Sequence, residues 1–281
     1  MANPYTTEDL LYLMSRLRDP KTGCPWDLKQ TFDSIVPHTL EEAYEVADAI
    51  EKQDYDHLKE ELGDLLFQVI FYSQLGKEQH FFEFGDIVHT LVSKLVRRHP
   101  HVFPSGELRS QANEQALSDE QIKGRWESIK QQERDEKAEK TAVNDAEPGL
   151  LDDIPTALPA LQRAEKLQKR ASTVGFDWPE TGQVLDKIEE EIAELREALQ
   201  QGNQAHIQEE MGDLLFAMTN LSRHINVKSE IALRGTNQKF IRRFSHIEAS
   251  LKAQGRSVED ATLDEMEALW QVAKRKEKAE V

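Results

Sequence analysis

Two stretches of this chain repeat each other in a fixed register, and that repeat limits what the chain can fold into. Glu41 to Asp64 reads EEAYEVADAIEKQDYDHLKEELGD, and Glu190 to Asp213 reads EEIAELREALQQGNQAHIQEEMGD. Glu41, Glu42, Glu45, Glu61 and Asp64 return as Glu190, Glu191, Glu194, Glu210 and Asp213, each 149 positions on. A register held without a gap means that a structural unit is repeated, not merely a composition. Both limbs of the unit have helical periodicity. In the first limb Leu40, Ala43, Tyr44, Ala47 and Ile50 form one apolar stripe, with Glu42 and Glu45 on one face beside it. In the second, Leu62, Leu65, Leu66, Phe67, Val69, Ile70 and Phe71 leave almost no polar side, which predicts a buried helix. The unit therefore reads as two antiparallel helices joined by a short turn, with Glu61 and Asp64 drawn in among apolar residues.

Two carboxylates from each helix would then converge on one point. Like charges removed from water repel and lose hydration, so the arrangement needs a cation or protons to neutralise it. Oxygen ligands without Cys or His suit a hard ion, magnesium first, with manganese as a substitute. A single EExxE is more often a solvated helix face. Its duplication, with the second acidic pair embedded in apolar helix both times, reverses that preference.

Composition sets the outer bounds. A chain of 281 residues is long enough for two domains, and 38% hydrophobic with 31% charged residues fits amphipathic helix. Its net charge of −17 argues against a general nucleic-acid binder and requires local cations for any anionic substrate. With Cys24 as the one cysteine there is no intrachain disulfide, and a reducing cytoplasm is the expected location. Neither a signal-peptide core nor an apolar run of about 20 residues is present, so no membrane association is expected.

The rest of the chain echoes the repeat. Helices are expected at Thr7 to Arg18, with Leu10, Leu11, Met14 and Leu17 on one side, and at Phe84 to Arg98, stopped by Pro100. The second ends in KLVRRHPHVF, whose counterpart is KFIRRFSHI: Lys94, Arg97 and Arg98 match Lys239, Arg242 and Arg243 at an offset of 145, four residues having been lost near Gly76 to His80. Lysine and the second arginine are i and i+4, so both cations share a face, and arginine can fork onto phosphate oxygens. Trp126 and Lys130 recur as Trp270 and Lys274. Each tryptophan serves equally as a base-stacking surface or a core anchor. Loops at Gly23-Cys24-Pro25-Trp26-Asp27 and Gly175-Phe176-Asp177-Trp178 hold matching places, with Trp26 expected as a buried loop anchor. These observations divide the chain into an N-terminal repeat 1–140, a linker 141–148 and a C-terminal repeat 149–281, all-α throughout.

LRDPKTGCPWD, the paired EExxE and ExxD units, KLVRRHPHVF and LDDIPTALPALQRAEKLQKRA together resemble the MazG family of nucleoside triphosphate pyrophosphohydrolases in its two-repeat form, across nearly the whole chain. The resemblance implies a helical-bundle, all-α NTP pyrophosphatase fold, a homodimer, and magnesium-dependent hydrolysis of NTPs to NMP and pyrophosphate. It places metal binding on Glu191, Glu194, Glu210 and Asp213, and substrate contact on Lys187, Glu190, Lys239, Arg242, Arg243, Trp270 and Lys274. Glu190 or Glu191 would orient or deprotonate the water. It ties activity more firmly to the C-terminal repeat. The pattern is also intact at Glu41, Glu42, Glu45, Glu61 and Asp64, with Lys94, Arg98, Trp126 and Lys130, as a possible second site. Two other readings compete. A di-iron bundle would need Glu-x-x-His where Glu-x-x-Asp stands, and a helical scaffold or regulatory binding protein would lack turnover.

Overall fold

The computed structural model describes residues 4–109, 118, 120–122, 124–126, 128–129, 132–133 and 149–279. Among them there is no strand, as an all-α chain requires. The chain divides into two compact units, Met1–Glu136 and Lys137–Val281. The expected linker 141–148 lies outside the described residues.

In the first unit α1 is Thr7–Leu17, α2 Phe32–Lys52, α3 Tyr55–Glu78 and α4 Phe84–Arg98, with further helical residues between 120 and 133. In the second, α5 is Ala160–Ser172, α6 Thr181–Gln201, α7 Gln204–His224, α8 Ser229–Ala253 and α9 Leu263–Ala279. The repeated acids lie on α2 and α3, and again on α6 and α7, and each pair packs along its length. The turns explain the antiparallel pairing. Gln53 (φ 58°) and Gly202 (φ 69°) end the first helix of each pair in the left-handed region, and Asp54 or Asn203 then caps the next through its side chain.

The four residues missing from the second half can be located. In the shared register α7 stops three residues short of α3, and the connection 225–228 is one residue shorter than 79–83. Both connections turn through a left-handed residue, His80 (φ 58°) and Asn226 (φ 57°). Pro100 follows the end of α4, whereas Ser245 at that register lets α8 run on to Ala253.

The first unit's core is built on Met14, Ile35, Ile70, Phe71 and Leu75. At 149 positions on, Ile35, Ala49, Gln68, Ile70 and Phe71 become Val184, Ala198, Ala217, Thr219 and Asn220, all ten of them buried. Four of these five pairs are smaller in the second unit, so its helix pair encloses more space around the same acids.

Two expectations need correction. α3 is not buried all round: Ile70 and Phe71 are fully buried, but Leu62, Leu66 and Val69 are exposed, because α1, α2 and α4 leave part of it uncovered. The stripe on α2 likewise turns outward. Leu40, Tyr44 and Ile50 are exposed, and Ile35 and Ala49 are the residues that α2 buries. No helix among the described residues is long and apolar enough to cross a membrane.

Candidate functional site

Glu191, Glu194 and Glu210 each bring a carboxylate oxygen to within 4.8 Å of the others, and Glu42, Glu45 and Glu61 do the same in the first unit. The i, i+3 spacing on α6 supplies two acids, and the tight turn at Gly202 returns the third on α7. Glu191 and Glu210 are buried, at 5% and 9% exposure, whereas Asp213 and Asp64 stand exposed on the next turn. The buried pair in the second helix was thus expected to include an aspartate that in fact faces outward. It still borders the same space, since Asp213 and Glu191 line one cavity and Asp64 and Glu42 another.

The electrostatics of the cluster favour a cation. Lys187 Nζ reaches Glu190 at 2.7 Å and Glu191 Oε1 at 2.9 Å, and these two partners hold the lysine well above its ordinary pKa. Glu191 Oε2 remains buried without a partner. Desolvation above all pushes the Glu194 carboxyl up, and with repulsion from Glu191, Glu210 and Glu190 it outweighs the opposite pull of Lys187. Glu42 is raised for the same reasons, desolvation first and then Asp64, Glu45, Glu61 and Glu41. An all-oxygen set with one orphaned buried oxygen and carboxyls that resist ionisation fits a hard divalent ion.

In the second unit the acids border a cavity of about 570 Å³, within the range of small-molecule sites. Its apolar lining comes from Leu151, Leu167, Ala171, Phe176, Trp178 and Phe216, and its polar lining from Lys187, Glu191, Asp213, Gln168, Asp177 and Asn220. α7 pins the Phe176–Trp178 loop: His224 Nε2 lies 3.0 Å from Asp177 Oδ1, and Arg223 bonds the same oxygen. Burial alone would raise the Asp177 carboxyl, but these two hydrogen bonds outweigh it and hold it below the ordinary range. The cavity that borders the first unit's acids is only about 260 Å³. There Phe71 stands where the second unit has Asn220, and His38, 3.7 Å from Glu41, stands where it has Lys187. Trp26 borders this smaller cavity at 53% exposure, edge-on to His38 at 6.1 Å, and so is not the buried anchor expected of it.

The basic residues gather elsewhere. Arg243 ion-pairs with Glu277 at 2.7 Å and places its guanidinium 5.4 Å from the Trp270 ring, while Arg242 reaches Glu277 at 3.6 Å. Arg243 above all, with Arg242 and Lys239, holds the Glu277 carboxyl below the ordinary range. Lys274, half-buried, is on the same helix as Trp270. None of these six lines the 570 Å³ cavity. The first unit builds the same clamp: Arg98 and Arg97 both grip Glu133, whose carboxyl falls to about 2, and Trp126 lies edge-on to His99 at 5.1 Å. Lys94 sits half-buried on α4, and Lys130 lies outside the described residues.

A model of the MazG nucleotide pyrophosphohydrolase domain matches residues 30–103 and, a second time, residues 181–248. The chain belongs to the MazG family. Each match takes in one acidic helix pair and the cationic helix that follows it. The chain is 50% identical over 270 residues to the nucleoside triphosphate pyrophosphohydrolase of Escherichia coli K12, covering 95% of this chain and 97% of that one. It is 40% identical over 267 residues to the nucleoside triphosphate pyrophosphohydrolase/pyrophosphatase MazG of Thermotoga maritima, covering 95% of each. As a MazG protein the chain is an enzyme, a hydrolase with the domain present twice.

Sequence reasoning missed several groups in these MazG units. His57 and His206 precede Glu61 and Glu210 by one helical turn and meet them at 2.6 and 2.9 Å. Their signal was available, since the histidine repeats in the same register as the acids. Glu133 and Glu277 likewise recur at the offset of the two tryptophans. Gln168 and Asn220 had no such signal, because their importance depends on a cavity that only packing reveals.

Proposed function

We propose that the chain hydrolyses nucleoside triphosphates, ribo or deoxy, to nucleoside monophosphate and pyrophosphate, with the second unit as the principal site. The observation that carries this reading is the cluster of Glu191, Glu194 and Glu210 beside an apolar cavity large enough for a nucleoside. The names of the Escherichia coli and Thermotoga maritima relatives support the substrate class.

Glu191, Glu194 and Glu210, with Asp213, would hold magnesium, for which manganese can substitute. When bound, it supplies positive charge to the triphosphate and lowers the pKa of water. Lys187 brings a cation to the cavity, and Lys239, Arg242, Arg243 and Lys274 take the remaining phosphate charge, Arg243 exchanging Glu277 for a phosphate oxygen. Trp270 packs over the same ligand. Glu190 or Glu191, both tied to Lys187, at 2.7 and 2.9 Å, would orient or deprotonate the attacking water.

The bond broken is the one between the α and β phosphates. Enzymes that release the γ-phosphate commonly cradle the β and γ groups in a Gly-rich loop, and no GxxxxGK[ST] occurs in this chain. Water attacks the α-phosphorus, its oxygen stays on the monophosphate, and pyrophosphate leaves as one group. Hydrolysis in heavy-oxygen water should therefore label the monophosphate. Label in pyrophosphate, or NDP and orthophosphate as first products, would contradict this mechanism.

The reading extends to assembly and place. The chain works as a homodimer in the cytoplasm, without membrane or general nucleic-acid association, the two repeats acting as domains joined through 141–148. Apolar side chains left exposed within each unit, Leu62, Leu66 and Val69 with Met211, Leu215 and Met218 at the matching register, support association. Light scattering should give twice the 32.3 kDa chain mass, and a monomer at micromolar concentration would refute it.

A further inference from the structure

The 570 Å³ cavity contains two amides whose hydrogen bonding is half-complete. Gln168, on α5, is 7% exposed and donates from Nε2 to the carbonyl oxygen of Phe216 at 2.8 Å. That bond fixes which way the amide faces. Its other atom, Oε1, is buried with no partner. Asn220, on α7, is 4% exposed and shows the complementary arrangement: its Oδ1 accepts from Arg223 Nε at 3.0 Å and Nη2 at 2.8 Å, so its NH2 group is left to donate. Arg223 is itself committed to Asp177, so the asparagine cannot flip without breaking a chain of bonds that also holds the Trp178 loop.

A buried acceptor without a donor is costly, and native interiors seldom retain one unless something else completes it. A second buried amide lines the same cavity, and both are nine-tenths or more buried, next to Leu167, Ala171, Phe216 and Ala217 of that lining, so general solvation is a poor explanation. A nucleobase edge carries a donor next to an acceptor, on a planar body that apolar and aromatic side chains can cover. Phe176 and Trp178 supply the aromatic cover.

We propose that Gln168 and Asn220 are the specificity-determining pair of this site, reading a nucleobase edge through one fixed acceptor, Gln168 Oε1, and one fixed donor, the Asn220 amide. The ligand class is a nucleoside triphosphate whose base offers an N–H donor beside a ring or carbonyl acceptor. The inference rests on the reading that the cavity takes the nucleoside of the substrate. Among the described residues the first unit has no such pair at this register, because Phe71 takes the place of Asn220.

The test uses the full chain with magnesium and matched substrates: ATP against purine riboside triphosphate, CTP against the triphosphate of 2-pyrimidinone riboside, and UTP against 3-methyluridine triphosphate. Each second member lacks the donor. The wild type should prefer the parent of its best pair by at least about 10-fold in kcat/KM, since a site built to bond a polar group rejects the analogue without it. Gln168→Met should erase that preference by losing the parent and not the analogue. Asn220→Asp keeps an oxygen for Arg223 and replaces the donor with an acceptor; it should lower kcat/KM for the best parent at least about 10-fold with the melting temperature near wild type. Equal use of parent and analogue by the wild type would overturn the proposal. So would retention of the preference by Gln168→Met together with unchanged kinetics in Asn220→Asp. Absence of turnover for every triphosphate would instead remove the reading on which the proposal rests, and the proposal with it.

Discussion

At position 71 the first helix pair carries a phenylalanine, fully buried against Met14 and Ile35, and at position 220 the second carries an asparagine beside a cavity. The acids around the two positions match residue for residue, and so do their histidine partners and the turns between the helices. The difference lies in volume and charge next to the acids: Phe71, Gln68 and His38 against Asn220, Ala217 and Lys187. A duplicated unit has thus kept its oxygen cluster twice while one copy has filled the neighbouring space, to about 260 Å³ against about 570 Å³. Cluster and pocket are separable properties of this fold, and a motif of acids reports only the first.

The largest effect that could break the comparison is loss of a carboxylate. Asp213→Asn should lower magnesium-dependent turnover by more than about 100-fold, beyond the ~10–100-fold typical for loss of an outer partner of a metal ligand. Asp64→Asn should leave most of the turnover in place. Steady-state kinetics of the two variants decide this, and a larger loss from Asp64→Asn would reverse the assignment of the units.

The next effect is that of exchanging the pockets. Asn220→Phe should raise KM about 10-fold or more by filling the space for the nucleoside, with the oxygen cluster intact. Phe71→Asn should not create a second active site. It removes a ring from a packed core and should cost about 3–5 kcal/mol of unfolding free energy, read by chemical denaturation of the variant. A gain in turnover from Phe71→Asn would show that volume alone separates the two units.

The sequence carried the framework well and the surroundings poorly, for physical reasons. Helix order, the turn at Gly202, the stop at Pro100 and the acid clusters depend on local spacing, which a chain displays directly. Burial depends on what covers a helix. Leu62, Leu66 and Val69 look like core residues from their neighbours in sequence, yet they stand exposed. The i, i+3 spacing places Asp213 on the same side of the helix as Glu210, but the two are about 60° apart around a 3.6-residue helix, enough at the edge of a buried face for one to be buried and the other exposed. Spacing and charge make the cations candidates for phosphate contact, but they do not show that Arg98 and Arg243 hold Glu133 and Glu277, acids some 35 residues further along the chain. Gln168 shows the limit most clearly, since its unpartnered oxygen exists only because α5 brings it against Phe216 of α7.

The central claim is that two matching acid clusters support one nucleotide site. Calorimetric titration of the full chain, in magnesium, with a triphosphate analogue whose α–β bridge is a methylene group counts the sites directly. The account predicts one equivalent bound per chain, lost in Glu210→Gln and retained in Glu61→Gln. Two equivalents per chain, or a single site that disappears with Glu61→Gln and survives Glu210→Gln, would contradict it.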